Sequence, residues 1–535
     1  MENFPRQSWT YMELIKRRAA EFGDRVFCSF ADGDELTFAE FETATNALAS
    51  GLADLGVKKA DRVLGMMYNS KAFLLTMIAV QKLGAIFVPV NTELKGVFLE
   101  HQVRNIEPRV IVSGDELRGA FDTISTDGLD IETTVSVEGG GVPLEGTKGA
   151  LFQDLLACKA RPSDIVIPSA YDIAMIMFTS GTTGPSKGVM MPHAHCLLFG
   201  FGSGRALSMT TADKMFICMP FFHAMGLLLQ MTSCLFYGSS AHVVRRFSAT
   251  TWLEEIRSSE STLTYGLGVI PEFIFRQPPT PHDQDHKLRL MLAVPIGDDW
   301  GRPFEERFGL RLVQAFGMTE CNIPAYGKLE DPIMAGCAGR IENDFFEVKV
   351  VDSENDEEVT IGEVGEIVVR PKHPGCFMAG YFRMPERTVE AWRSLWFHTG
   401  DAGRFDDQGR LFYIDRIKDS IRRRGENISA FEVEQVINGH PEVAESCVIG
   451  VRDEGAGGEE EVKACIVAGG NAPEYSSILD WCVERMPRYA VPRFLEYVSE
   501  LDKTPTGKLR KQDLRDAGIT DNTWDRESIG YVVPR

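Results

Sequence analysis

The chain has 535 residues, 44% of them hydrophobic and 25% charged, and a formal net charge of −21. This length exceeds what one hydrophobic core serves, so we expect two or more domains. The acidic balance argues against a nucleic-acid surface and against a polybasic membrane patch, although a local loop for an anionic nucleotide stays compatible with it. The eleven cysteines are scattered without a Cys-x-x-Cys pair, and the N-terminus has no apolar core of signal-peptide length. We therefore expect a soluble cytoplasmic protein with reduced thiols and no integral membrane segment.

The first clear alternation of elements lies between Asp61 and Asn91. Residues 62–67 have the pattern of a strand, Ser70 to Leu83 that of a helix ending at Gly84, and residues 85–91 again that of a strand. Such a βαβ unit favours a right-handed parallel crossover. Related patterns predict strands at 110–113, 172–178 and 262–268, a helix at 247–258, and a strand, a turn and a buried helix across 215–236. A large α/β domain with more than one sheet is the expected result.

The pattern changes after about Gly339 to short strands bounded by Gly, Asp or Asn, which is typical of hairpins. It changes again from Ile421, where a helix at 430–438, strands at 442–451 and 461–467, and a helix at 476–485 are predicted. These elements fit a compact α+β domain within the usual size range.

The segment 179–188 reads TSGTTGPSKG and directly follows an apolar run of strand length. A glycine-rich loop leaving a buried strand lets backbone N–H groups approach a phosphate chain, while hydroxyls and an ammonium add donors. The spacing of Gly181, Gly184 and Lys187 differs from the usual P-loop, which needs Gly, four residues and then Gly-Lys-Ser/Thr. A mere linker can have this composition, so the remaining motifs decide the matter.

Further motifs occur in an order that resembles the adenylate-forming superfamily of acyl-CoA synthetases, luciferases and peptide-synthetase adenylation domains. They are PFFHAMG (220–226), QAFGMTE (314–320), GYFRMPERT (380–388), WFHTGD (396–401), DRIKDSIRRRGENIS (415–429) and KTPTGKLRK (503–511). The spacing of the glycine-rich loop is similar to this family's phosphate loop, and the resemblance covers nearly the whole chain. The residues at 277–289 and 423–429 resemble those of the carnitine and crotonobetaine CoA-ligase branch.

The resemblance implies an ATP-dependent acid–CoA ligase with a two-step reaction. A carboxylate attacks the α-phosphate of ATP to give an acyl-adenylate and pyrophosphate, and the thiol of coenzyme A then displaces AMP to leave a thioester. Two anions must meet, so cations and N–H donors have to offset their repulsion. ATP, Mg²⁺ and coenzyme A are the implied cofactors, and a small carboxylic acid is the substrate.

The resemblance also assigns roles in adenylation. Lys508 would bridge the carboxylate and the α-phosphate oxygens, and Thr319 would hydrogen-bond the α-phosphate. Glu320 would hold Mg²⁺, because a hard cation prefers carboxylate oxygen. Phe316, with Gly317 beside it, would stack on adenine where the family usually has tyrosine. The β- and γ-phosphates would be held by the phosphate loop, which comprises Thr179, Ser180, Gly181, Thr182, Thr183, Gly184 and Lys187.

The resemblance also places the ribose and the thiol. Asp401 would accept both ribose hydroxyls, and Arg416 would reach the ribose from the domain junction. His223 either is a core histidine or lies between the acyl pocket and the nucleotide, where it would gate the entry of the thiol. Gly425 would give room for pantetheine. The arginines at 422–424 are either a landing site for the phosphates of coenzyme A or a solvated basic turn.

Lys418 falls at the family's hinge position. This predicts a large N-terminal multi-sheet α/β domain at 1–417 and a small mobile C-terminal α+β domain at 418–535. The small domain would carry Lys508 away after adenylation and bring another face forward for thioester formation.

The acid-binding pocket departs from the family at LAVPIGDDW, residues 292–300, where a Gly-Gly-Ala turn is usual. Pro295 cannot donate an N–H, so contacts carried over to Ala293, Val294 or Pro295 are in doubt. The mostly apolar pocket segments favour an aliphatic, ring-bearing or carnitine-like acid over a highly charged one. Alternatives are an acyl-AMP ligase that loads a carrier protein, a luciferase-like oxygenase and an inactive nucleotide-binding relative. The sequence leaves open whether the protein is a monomer or a homodimer.

Overall fold

A computed structural model gives the fold of the chain. It describes residues 4–179, 186–267, 270–297, 300–416, 420–423, 426–452, 460–486, 490–503, 509–528, 530–531 and 533. Three sheets with their helices form the part of the described chain that precedes residue 417, and smaller sheets follow. The expected mixed α/β class, with more than one sheet in the N-terminal part and an α+β arrangement after it, is confirmed. No helix in the described ranges is long and apolar enough to cross a bilayer.

The first sheet is parallel apart from one antiparallel pair at its edge. Its strands lie in the order Arg311–Val313, Leu290–Val294, Leu263–Leu267, Lys214–Ile217, Ser240–Val243, Val26–Phe30 and Glu35–Thr37. The strand predicted at 262–268 is therefore present. Its neighbour Leu290–Val294 ends directly before Pro295, and the Val294–Pro295 peptide is cis.

The second sheet contains the predicted βαβ unit and the hairpin of the phosphate loop. Its strands lie in the order Gly380–Tyr381, Lys187–Pro192, Ile173–Thr179, Ile86–Pro89, Arg62–Met66, Val110–Ser113, Thr133–Ser136 and Lys148–Leu151. In the βαβ unit the two strands pair in parallel, and the hydroxyl of Ser70 caps the helix by accepting from Phe73 N at 3.3 Å. Gly84 ends the unit's helical part at φ +67°, a conformation that suits glycine.

The third sheet is antiparallel, as the Gly- and Asp-bounded pattern after Gly339 predicts. Its strands lie in the order Ala315–Met318, Asn322–Tyr326, Cys337–Ile341, Arg410–Arg416, Trp396–Phe405, Gly365–Pro371 and Phe346–Val351, and Trp392–Arg393 pairs with the strand at 396–405. The motifs at 314–320 and 396–401 both belong to this sheet, which brings distant parts of the chain together.

The C-terminal part has the predicted α+β composition. A ribbon of Ser420–Arg423 and Glu426–Ser429 precedes a sheet in the order Val443–Arg452, Glu460–Ala468, Phe494–Tyr497 and Trp524–Asp525. The predicted helices are present as Ala430–Asn438 and Tyr475–Val483. Apolar residues from this part, including Ile421, Val448 and Val533, form a hydrophobic cluster of their own.

The remaining α-helices of the described chain cover the sheets. They are Tyr11–Phe22, Phe38–Asp54, Lys71–Lys82, Gly96–Ile106, Phe152–Leu156, His193–Ala206, Thr232–Tyr237, Trp252–Ser259, Ile270–Phe275, Gly301–Phe308, Pro385–Ala391 and Lys511–Ala517, with short 3₁₀ segments at Arg6–Ser8, Asp115–Thr123 and Pro162–Asp164. The helix predicted over 247–258 begins only at Trp252, because the hydroxyl of Ser248 accepts from Thr251 N and holds a turn. Across 215–236 the helical part begins as a π-helix, Met225–Met231.

Candidate functional site

The phosphate loop connects two antiparallel strands of the second sheet. Thr179 ends the strand Ile173–Thr179, Lys187 begins the next one, and these two residues are paired across the hairpin. The Thr179 hydroxyl donates to Lys187 O at 3.4 Å. Unlike a P-loop, this loop leads into a strand, so its own N–H groups rather than a helix N-terminus would meet the phosphates. The predicted contacts Ser180, Gly181, Thr182, Thr183 and Gly184 lie outside the described residues.

Glu320 and Lys187 contact the same tyrosine, Glu320 at its hydroxyl and Lys187 over the face of its ring. The hydroxyl of Tyr381 donates to Glu320 Oε1 at 3.0 Å, and Lys187 Nζ lies 4.4 Å from the centroid of the Tyr381 ring. Tyr381 reaches this position because its short strand pairs with Lys187–Pro192 at the edge of the second sheet. Glu320 is only 4% exposed, so its carboxylate depends on such partners. The predicted metal carboxylate and the phosphate-loop lysine therefore belong to one site.

Thr319 is held through its backbone by His195. The Nε2 of His195 donates to Thr319 O at 2.9 Å, and its Nδ1 lies 3.3 Å from the side-chain nitrogen Nδ2 of Asn322. Burial lowers the pKa of His195 to about 4, so the ring is neutral and one nitrogen donates while the other accepts. Sequence reasoning did not identify His195, and its position shortly after the phosphate-loop hairpin was the available signal.

Phe316 and Gly317 form an irregular edge of the third sheet. The pairing of Ala315–Met318 with Asn322–Tyr326 shifts between Phe316 and Met318. A Cβ on Gly317 would lie 2.2 Å from Asn322 O, so only glycine allows this approach of the two backbones. The ring of Phe316 is 6% exposed and stacks on Tyr413 with centroids 6.1 Å apart. Its predicted stacking on adenine stays a prediction.

Asp401 and Glu320 come from different motifs, yet both carboxylates influence one thiol, that of Cys321. Asp401 is 3% exposed, and its N–H donates to the hydroxyl of Thr399 at 3.1 Å. Both carboxylates act on the thiol of Cys321, whose pKa is raised first by burial and further by the negative charges of Glu320 and Asp401. The backbone of Arg416 pairs with Asp401 in the adjacent strand. The third sheet thus places the backbones of the two predicted ribose residues on neighbouring strands, directly opposite each other.

His223 precedes the π-helix Met225–Met231 and is half-buried. Its Nδ1 accepts from Met225 N at 3.3 Å. The motif around it is held by the buried Asn69, whose amide donates to Met219 O at 3.0 Å and accepts from Phe221 N at 2.7 Å. Sequence reasoning missed Asn69, since a lone asparagine before a helix carries no specific signal.

The predicted residues of the C-terminal part are mostly outside the described ranges. These are Lys508, the hinge Lys418, Gly425 and Arg424. Of the basic run, Arg423 is 4% exposed and its Nε lies 2.6 Å from Glu461 Oε2. This guanidinium is therefore part of a buried ion pair rather than of a solvated turn.

The residues around Glu320 fit Mg²⁺ bound together with phosphates. The described residues contain no cluster of three or more His, Cys, Asp or Glu that could enclose a metal. Mg²⁺ in nucleotide enzymes uses one or two carboxylates and completes its shell with water and phosphate oxygens. One buried carboxylate beside the phosphate-loop lysine matches this donor set. When bound, the ion would neutralise phosphate charge.

The phosphate-loop lysine and the buried carboxylate of Glu320 thus share one tyrosine, Tyr381. Residues 15–382 match the AMP-binding enzyme family, and residues 432–508 match the C-terminal domain of AMP-binding enzymes. The chain belongs to this family and is an enzyme of its adenylate-forming acid–CoA ligase class. ATP, Mg²⁺ and coenzyme A are the cofactors of that class, which confirms the prediction at this level.

Individual relatives have the same overall organisation. The crotonobetaine/carnitine–CoA ligases of Salmonella typhi and Salmonella typhimurium are 28% and 27% identical, over 93% of this chain and 97% of theirs. The ATP-bound crystal structure of MatB from Rhodopseudomonas palustris has a TM-score of 0.82 at 26% identity, covering 95% of this chain and 98% of that one. The anthranilate CoA ligase AuaEII in complex with anthranoyl-AMP has a TM-score of 0.86 at 25% identity, covering 96% and 98%.

Proposed function

We propose that this enzyme forms acyl-CoA thioesters from a carboxylic acid whose acyl group is uncharged, either aliphatic or ring-bearing. The observation that carries this proposal is the composition of the segments expected to line the acid pocket. They contain no Asp, Glu, Lys or Arg and comprise residues 223–230, 265–271, 293–297 and 314–318. A charged acyl tail placed among them would be desolvated without a partner of opposite charge, which is costly.

Two polar side chains of these segments, Tyr265 and Gln230, are bound to the protein. Tyr265 is fully buried and its hydroxyl pairs with that of Ser203. Gln230, also fully buried, donates through its amide to Phe216 O at 2.9 Å. Neither side chain carries a charge that could pair with a second charged group on the substrate. An uncharged acyl tail matches the segments best.

A carnitine-like acid is the second candidate, and the curated relatives favour it. They act on crotonobetaine and carnitine and are 27–28% identical to this chain. Such acids carry a quaternary ammonium, which proteins usually recognise with carboxylates or an aromatic cage. The pocket segments contain no carboxylate. The two candidates therefore differ in one property of the acid, namely whether its acyl group is uncharged or carries a quaternary ammonium.

For adenylation we assign the following division of work. Lys508 bridges the carboxylate and the α-phosphate, Thr319 bonds the α-phosphate, and Glu320 holds the magnesium ion on the phosphates. The phosphate loop binds the β- and γ-phosphates, and Asp401 with Arg416 binds the ribose. The contact of Tyr381 with both Glu320 and the phosphate-loop lysine supports this arrangement. Charge that grows at the α-phosphorus is then offset by fixed cations and donors.

For thioester formation we propose a rotation of residues 418–535 about Lys418, with Gly425 lining the path of the thiol and His223 at its entrance. The separate hydrophobic cluster of the C-terminal part supports a unit that moves as a whole. We also place the reaction in the cytoplasm, because all eleven cysteines are free and the chain is acidic.

The deciding experiment measures CoA-dependent AMP formation across acids graded by length, ring content and charge. We expect the highest kcat/KM with a straight-chain or aromatic monocarboxylate, and at least tenfold lower values for dicarboxylates and for carnitine. A preference for crotonobetaine or carnitine would overturn the uncharged-tail proposal in favour of the second candidate. If product forms with an acyl carrier protein but not with coenzyme A, the protein is an acyl-AMP ligase and the assignment as a CoA ligase is wrong. If the protein binds ATP but releases no pyrophosphate from it with any of the acids, it is an inactive relative.

A further inference from the structure

Asp401 lies in a local irregularity between two strands of the third sheet. The strand Gly365–Pro371 pairs with Trp396–Phe405 as Val368 with His398 and as Glu366 with Ala402. Between these pairs, Ile367 alone faces residues 399–401. The extra residues bulge out of the ladder, and bulges commonly re-aim a side chain next to a functional site. On the side of the strand Gly365–Pro371 the bulge lacks regular ladder pairs, so other groups must hold its backbone there.

The carboxylate of Glu366 binds the bulge directly. Its Oε1 accepts from the N–H of Gly400 at 3.0 Å, and its Oε2 lies 2.8 Å from Nδ1 of His398. Gly400 has φ +71°, so the bulge depends on a left-handed residue immediately before Asp401. Glu366 is 5% exposed, and the guanidinium of Arg393 lies 3.5 Å from Oε2. A buried carboxylate with these neighbours is fixed in place and can act as a rigid support.

A second link closes the bulge from the other side. The hydroxyl of Thr399 donates to Ile367 O at 2.6 Å and accepts from the N–H of Asp401 at 3.1 Å. The residues before and at Asp401 are thus both bound through their N–H groups, one to Glu366 and one to Thr399. These two bonds fix the backbone from which the Asp401 side chain projects.

We propose that Glu366 is a positioning residue for nucleotide binding. It holds the Gly400 peptide and thereby aims the carboxylate of Asp401 at the ribose hydroxyls. The inference rests on the proposed role of Asp401 and deepens it, because it explains how the strand is bent to present that side chain. Glu366 itself does not touch the nucleotide. Its length matters more than its charge, since a neutral carbonyl oxygen at the same place can also accept from Gly400 N–H.

The test compares binding of ATP and 2′-deoxy-ATP, with Mg²⁺, by calorimetry. Hydrogen bonds to charged acceptors are among the stronger ones in proteins, so we expect the wild-type enzyme to bind ATP at least tenfold more tightly than the deoxy analogue. In Glu366→Asp the shorter side chain no longer reaches Gly400, and the preference should fall at least threefold. In Glu366→Gln it should stay within twofold of the wild type. Glu347→Ala on the neighbouring strand, whose side chain is 40% exposed, is the matched control and should keep the full preference.

Asp401→Ala, which removes every side-chain acceptor at this position, separates this inference from the proposed function. If Asp401→Ala keeps the preference for ATP, the ribose role of Asp401 is wrong. If Asp401→Ala loses the preference but Glu366→Asp keeps it, the positioning role of Glu366 is wrong. Thr399→Val provides an independent variant should Glu366→Asp fail to fold: a lowered preference supports the need for a fixed bulge, and an unchanged one overturns it.

Discussion

Tyr381 connects Glu320 to Lys187. The tyrosine hydroxyl donates to Glu320 Oε1 at 3.0 Å, and its ring face lies 4.4 Å from Lys187 Nζ. One side chain thus fixes a carboxylate proposed to hold a cation and packs under an ammonium proposed to hold phosphate. Glu320 lies in a hairpin turn of the third sheet and Lys187 begins a strand of the second sheet, so this tyrosine connects the two sheets.

The first prediction concerns this contact. Tyr381→Phe keeps the ring under Lys187 but removes the donor to Glu320. Losing a bond to a charged group costs about 1.5–3 kcal/mol, so we expect the Mg²⁺ concentration for half-maximal pyrophosphate release to rise about tenfold or more. A titration of Mg²⁺ at fixed ATP measures this. Tyr381→Leu should weaken MgATP binding further, because it also removes the aromatic face from the lysine. An unchanged Mg²⁺ requirement in Tyr381→Phe would contradict the proposed role of Glu320.

The second prediction concerns Gly317. A Cβ at this position would lie 2.2 Å from a backbone oxygen, Asn322 O, which has no freedom to move away. Gly317→Ala should therefore distort the edge of the third sheet, destabilise the protein by about 2 kcal/mol or more and reduce ATP affinity. Gly119→Ala is the matched control, since nothing lies within 4 Å of its added Cβ. Urea unfolding and ATP titration of both variants measure the effects. Equal stability of the two variants would show that the backbones do not approach as described.

The third prediction follows from the depressed pKa of His195. Burial holds the pKa of its ring at about 4, whereas an unfolded histidine titrates near 6.5. As the pH falls below the unfolded value, the unfolded state gains a proton that the folded state does not bind. The stability contributed by neutral His195 is thus complete above about pH 7 and is lost progressively towards pH 4.

The variant His195→Asn isolates this effect. Between pH 8 and pH 5 the wild type should lose about 2 kcal/mol more unfolding free energy than the variant does. The difference between the two proteins should be constant from pH 8 to pH 9, which serves as the internal control. A difference that is equally constant down to pH 5 would mean that His195 becomes protonated in the folded protein.

The fourth prediction separates the two half-reactions. Lys508→Ala should lower acid-dependent pyrophosphate release by at least a hundredfold, because it removes the cation proposed to join the two anions. Thioester formation from supplied acyl-adenylate and coenzyme A should stay within about threefold of the wild type, since we propose that this step uses another face of the C-terminal part. Lys159→Ala, at an exposed position, is the control and should leave both rates unchanged. Equal losses in both half-reactions would refute this division of work.

Much of the fold could be predicted from local patterns. The strand–helix–strand unit between Asp61 and Asn91 is confirmed with its cap at Ser70 and its left-handed Gly84, because capping and glycine signals act within a few residues. The helix Ala430–Asn438 has the bounds that its pattern predicts. The helix expected from residue 247 was predicted too long, since hydroxyl side chains at 248–251 compete with the helical backbone.

The sequence motifs identified the residues proposed to act on the substrates, but not the residues that hold them in place. Glu320, Asp401 and the phosphate-loop lysine stand in segments whose composition is unusual, so a sequence reader can find them. His195, Asn69, Glu366 and Tyr381 are single polar residues in otherwise ordinary segments. Their roles depend on partners more than 30 residues away along the chain, and no local pattern encodes such a pairing.

The sequence alone determined the enzyme class, the order of the motifs and the kinds of side chain available for ATP, because glycine spacing, charge and hydroxyl content are local properties of the chain. Only the tertiary structure decided that Glu320 faces Tyr381, that Asp401 stands in a bulge held by Glu366, and that the charge of Asp401 acts on the thiol of Cys321 beside Glu320. These relationships arise from strand register and from the packing of separate sheets, and both are set by contacts between residues distant in the chain.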